Sequence, residues 1–233
     1  MMHLIKLEFQ KYQLWRKWIG VVLAHIILVG MSVLMYYGSA LEQEPFDWEM
    51  VILMTDALVR GTFLIFSSVI MAQLVAEEYR SGTINQLFCY PVERWRLMFA
   101  KLLIVFVFTV VNVVIGNVLN VTAVVILDSV TDVVLGDFSV IMMTQYGIYY
   151  VAGLLAAAFL SLLPYIVCMR RKSTSSTIVA GVVLTLFLIS SAGGGMTQAI
   201  YFFRSLTLGA VALIIVLVTL VRTVRYIGEN DVL

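Results

Sequence analysis

Six long stretches of this chain carry no charged side chain: residues 19–41, 61–76, 102–127, 138–169, 173–203 and 205–221. A helix spanning the hydrocarbon of a bilayer takes roughly 20 apolar residues, so these stretches have about the length of membrane spans. Inside lipid the backbone must satisfy its own hydrogen bonds, and for a segment of this length that means a helix. Composition agrees, since 62% of the 233 residues are apolar and 12% charged, where a soluble domain has about half and about a quarter. The expected fold is all-α and integral to the membrane. It is a single domain, 1–233, with six transmembrane helices over about 18–38, 57–76, 102–127, 141–168, 177–192 and 206–222. The fourth and fifth stretches exceed one perpendicular crossing, which calls for tilt, interfacial residues or a non-spanning piece. Ser190, Ser191, Ala192, Gly193, Gly194 and Gly195 are expected to end the fifth helix early, leaving a break on the outer side up to Arg204.

Charge alternates between the connecting segments. Lys6, Lys11, Arg16 and Lys17 precede the first span; Arg80, Arg94, Arg96 and Lys101 lie between the second and third; Arg170, Arg171 and Lys172 between the fourth and fifth; Arg222 and Arg225 follow the sixth. Thirteen of the 15 basic residues thus fall on one side. The other side carries Glu42, Glu44, Asp47, Glu49 and Asp56 in one loop, Asp128, Asp132 and Asp137 in the next, and Arg204 as its loop cation. Basic loops stay in the cytoplasm, so both termini are expected there, in a multi-pass protein of the cell membrane. Cys89 and Cys168 then face a reducing compartment, and no disulfide is expected. The first apolar run is longer than the roughly 7–15 residues of a signal-peptide core, so it is expected to remain as a helix. Residues 1–17 suit an amphipathic interface helix with Leu4, Leu7, Leu14 and Trp15 toward lipid, or a plain basic anchor.

Residues 77–101, EEYRSGTINQLFCYPVERWRLMFAK, are too many for a turn between two spans. Ile84, Leu87 and Phe88 follow the i, i+3, i+4 spacing of a short amphipathic helix. Ser81, Gly82 and Thr83 supply a turn and an N-cap, and Pro91 limits the helix at its far end. Such a helix, lying across the inner face and joined to two spans, could transmit a push from a partner.

Here the chain resembles the ABC type-2 exporter permeases, with a likeness to the compact bacterial members of peptide-antibiotic export and immunity systems. Glu78, Gly82, Thr83, Leu87, Pro91, Val92, Arg94 and Lys101 stand in the order and spacing of that family's signature. Tyr90, where small or polar residues are more usual, and the short outer region after the fifth span depart from it. The resemblance implies a cytoplasmic coupling helix between helices 2 and 3 that docks on a separate ATPase through Glu77, Glu78, Gly82, Thr83, Leu87, Phe88, Pro91 and Arg94. It further implies two ATPase copies that use ATP and Mg²⁺, a second permease subunit, identical or related, and an amphipathic peptide, antibiotic or drug as cargo. The short outer region argues against a large lipid-linked substrate.

Outside the loop, Asp56 and Arg60 have the spacing of a helical ion pair, with Arg60 expected to snorkel outward and anchor the helix. Asn112, Gly116 and Asn120, with Asn117 beside them, form a stripe on the third span; Gly153, Ala157 and Ser161 repeat it on the fourth, and Thr177, Gly181 and Thr185 on the fifth. Such stripes suit close helix packing, which is the default reading; the alternative is that Asn112, Asn117, Asn120 and Thr185 line a substrate path. Pro164 is expected to kink the fourth span. Tyr36, Tyr37, Trp48, Tyr146, Tyr149 and Tyr150 suit an interfacial belt, and His25 a packed imidazole.

No catalytic residue is expected. The sequence has no HExxH zinc motif, no Gly-Lys dipeptide of a phosphate-binding loop and no GxSxG elbow. The chain is therefore expected to be no enzyme, with no metal or cofactor of its own, and to have the lipid bilayer rather than nucleic acid as its surroundings. Two rivals stand beside the permease reading: a secondary transporter that needs no ATPase, and a non-transporting sensor or assembly partner. The first should carry acids near span centres for ion coupling, which the charge-free stretches do not show.

Overall fold

The computed structural model describes residues 14–41, 46–76, 94–131, 134, 140–190 and 198–229. Among these the chain forms α1 (Leu14–Leu41), α2 (Trp48–Met71) running into a π-helical segment (Ala72–Ala76), α3 (Arg94–Thr131), α4 (Val140–Leu160), α5 (Pro164–Arg171), α6 (Thr174–Ser190) and α7 (Gln198–Glu229). Trp18–Ser39, Trp48–Ala76, Leu97–Thr131, Gly147–Arg171 and Phe202–Arg222 are each long and apolar enough to cross a membrane, and Thr174–Ile189 is a shorter apolar helix.

Two buried clusters fix how the helices run. Leu74, Val75 and Ala76 at the end of α2 pack with Met98, Leu102 and Val105 at the start of α3 and with Tyr165 and Cys168 of α5. At the opposite end Tyr36 of α1 meets Trp48 and Val51 of α2 and Val124 of α3. Successive long helices therefore alternate in direction, with α2 packed on α1, α3, α4, α5 and α6. The α2 span is 67% buried, against 28% for α1 and 22% for α7. The outer helices consequently turn apolar surface outward, Ile19, Leu34 and Ile214 among it. In water such a surface would drive aggregation; in hydrocarbon it is the matching solvent.

Local chemistry explains several helix ends. Asp47 caps α2 by accepting a hydrogen bond from the Met50 backbone N–H at 2.9 Å, and Glu49 follows in the first turn, where a negative charge suits the helix dipole. Before Pro164 the α-helical ladder gives way to tighter bonds, Leu162 N–H to Phe159 O at 3.1 Å and Leu163 N–H to Leu160 O at 3.0 Å. The proline then opens α5, where its missing N–H has no partner to lose. At the far end Lys172 closes α5 in the left-handed region, φ 47°, with its N–H on Cys168 O at 2.8 Å.

Several sequence expectations change. Glu49, Asp56 and Asp128 sit within helices rather than loops. Arg204 lies inside α7, which starts at Gln198, so it is not a loop cation. Tyr36 and Trp48 are buried among helices rather than placed in a belt, since the Tyr36 hydroxyl bonds Val51 O at 3.0 Å and Thr55 Oγ1 at 2.8 Å inside the bundle. Tyr37 keeps an exposed position. The expected interface helix falls outside the described residues over 1–13, as does the expected coupling segment over 77–93.

Candidate functional site

The stems of the 77–93 segment form the first site. Lys101, one of the largest fully buried side chains, donates from Nζ to the backbone oxygen of Leu74 at 2.7 Å. Leu74 lies within the π-helical segment Ala72–Ala76, where each N–H reaches one residue further back than in an α turn. A lysine lodged there supplies a charged donor, and a buried charge is tolerated only with such partners. Cys168 of α5, a buried free thiol, packs in the same cluster as Leu74 and Leu102. The end of α2, the start of α3 and α5 are thus tied at one point. Arg94 opens α3 on the same side; Glu77, Glu78, Gly82, Thr83, Leu87, Phe88 and Pro91 are outside the described residues.

The second site lies in the other half of the bundle. Asp56 and Arg60 form an ion pair in which each side chain is almost wholly buried. Burial overturns the expectation that Arg60 snorkels to water: the guanidinium lies across Gly153 of α4, where a Cβ would collide with it. Glycine there lets a helix surface accept a planar cation. Asn117 of α3 completes the arrangement, its Nδ2 donating to Asp56 Oδ1 at 2.9 Å. Arg60 and Arg204 share the wall of a small cavity with Ser205 and Leu208.

Two further polar stripe residues, Asn120 and Thr185, join helices. Ser32 of α1 donates to Asn120 Oδ1 at 2.8 Å, and Asn120 Nδ2 bonds Gly116 O within α3. At Gly116 a Cβ would stand 2.7 Å from Val59, so the glycine sets how closely α3 approaches α2. Thr185 Oγ1 of α6 reaches Gly61 O of α2 at 3.3 Å. Asn112 bonds back to Phe108 O on its own helix, and His25 packs on Phe63 with the rings tilted and their centres 4.8 Å apart. Among the described residues no group of His, Cys, Asp or Glu comes together as a metal site. Sequence reasoning passed over the Lys101 to Leu74 bond and the place of Arg204, because both join residues from different helices and neither spacing signals the contact.

Long apolar helices with outward-facing hydrophobic surface define a polytopic membrane protein. The family model described as ABC-2 family transporter protein matches residues 4–192, and the chain belongs to that family, the membrane permeases of ABC transporters. It is also similar to the uncharacterized protein YcbO of Bacillus subtilis (strain 168), at 29% identity over 172 residues, covering 73% of this chain and 75% of that one. No solved structure matches.

Proposed function

We propose that the chain is the permease half of an ATP-driven exporter, with its termini in the cytoplasm and residues 77–93 acting as the coupling segment. The observation that carries this reading is the Lys101 to Leu74 bond, which ties together the two helix ends from which that segment springs. A segment whose stems are joined passes displacement to both helices, whereas loose stems would absorb it. Two permease subunits would form the central path, and two ATPase subunits would bind and hydrolyse ATP with Mg²⁺ beneath them. The cargo class is an amphipathic peptide, antibiotic or drug, in keeping with the short outer region and the apolar helix surfaces.

The test is co-purification followed by transport in vesicles. A nucleotide-binding subunit should accompany the chain, and replacing Leu87 and Phe88 together by alanine should abolish ATP-driven transport while membrane insertion continues. Undiminished transport by that variant would refute the coupling role. Transport by the purified chain with no ATPase attached would favour a secondary transporter instead.

A further inference from the structure

Between α3 and α4 a recess of about 270 Å³ is walled by Val114, Val118, Val121, Val151 and Leu154, with Asn117, Thr122 and Tyr150 as its polar residues. Two of those residues carry unmet hydrogen-bonding capacity. Asn117 is held by its donor end, because a carboxylate can only accept and Asp56 therefore takes the Nδ2 hydrogen. Its Oδ1 is buried without a partner among the described residues, and so is the Tyr150 hydroxyl. A buried polar atom left unpaired is costly in a low-dielectric setting, and two in one wall need a reason.

We infer that this recess binds the aliphatic part of a membrane-dissolved amphiphile whose uncharged hydroxyl or amide N–H pairs with Asn117 Oδ1 and Tyr150 Oη. The valine and leucine wall takes the hydrocarbon; the two unpaired atoms select a donor group. An uncharged head fits because the neighbouring charges, Asp56 and Arg60, already compensate one another. Val118 and Val151 are well exposed on the helix surface, so the ligand enters sideways from the bilayer. Calling that ligand cargo rests on the exporter reading; the binding itself does not.

The experiment uses the purified full chain in lipid nanodiscs without any ATPase, so its failure is distinct from a failure of the transporter assignment. A photoreactive diazirine octadecanol is crosslinked and the labelled peptides mapped, with octadecanol and octadecane as competitors. Saturable labelling of α3 and α4, competed by octadecanol and poorly by octadecane, is expected. Tyr150→Phe, which removes only the hydroxyl, should weaken binding about five- to tenfold, the scale of one hydrogen bond. Val118→Trp, a change on the exposed face, should fill the recess and abolish labelling while the thermal transition of the protein holds. Equal competition by octadecane, unsaturable labelling typical of annular lipid, or unaltered labelling in both variants would overturn the proposal.

Discussion

Two buried cations in this bundle are seated differently. Lys101 leans on a backbone carbonyl at a π-helical joint, whereas Arg60 is neutralised by Asp56 on its own helix and held across Gly153 of a neighbour. The first joins a side chain to the backbone of another helix; the second joins two side chains of opposite charge on one helix. Coulombic pairing is worth more where the dielectric is low, so the Asp56–Arg60 unit is the part of the bundle most sensitive to losing one member. The value of the lysine contact lies in which helix ends it joins.

The sharpest way to break this comparison is Arg60→Leu, which strands Asp56 as an uncompensated buried charge. It should cost about 3–5 kcal/mol, and adding Asp56→Leu should restore most of the loss. Thermal unfolding in detergent measures both; a single variant as stable as the double one would show that Asp56 does not depend on Arg60. Next comes Lys101→Met, which keeps the chain length and removes the donor. The expected loss is about 1.5–3 kcal/mol, with ATP-driven transport falling more than stability does. A variant that is destabilised yet transports normally per folded molecule would make Lys101 a stability residue only. The smallest effect belongs to Ser32→Ala, which deletes a single hydrogen bond between α1 and α3 and should cost about 0.6 kcal/mol. A loss several times larger would mean that Asn120 cannot find another donor.

The helices were legible in the sequence because an apolar window reports what hydrocarbon tolerates. Their ends were less so. A window stops at a charge, yet α2 begins at Trp48 and carries Glu49 and Asp56 within it. Glu49 is accommodated by the helix N-terminus, and Asp56 by Arg60 one turn on and by Asn117, which is 61 positions away in the chain. No local window contains that last residue. The same limit explains Tyr36, which has the composition of a belt residue but is buried because Thr55 answers its hydroxyl. Small-residue spacing fared better: Gly116 and Gly153 stand where neighbouring side chains leave no room for a Cβ. Arg204 was misplaced because the run of glycines before it suggested a break reaching as far as Arg204, whereas α7 already begins at Gln198.

The π-helical segment at Ala72–Ala76 is in effect one residue inserted into an otherwise regular screw. Each residue of an α-helix advances by about 100°, so removing one here would swing the heading of all that follows by that amount. The Lys101 ammonium would then face a different carbonyl, or none. The extra residue therefore sets the compass bearing at which the chain leaves the bundle on its basic side.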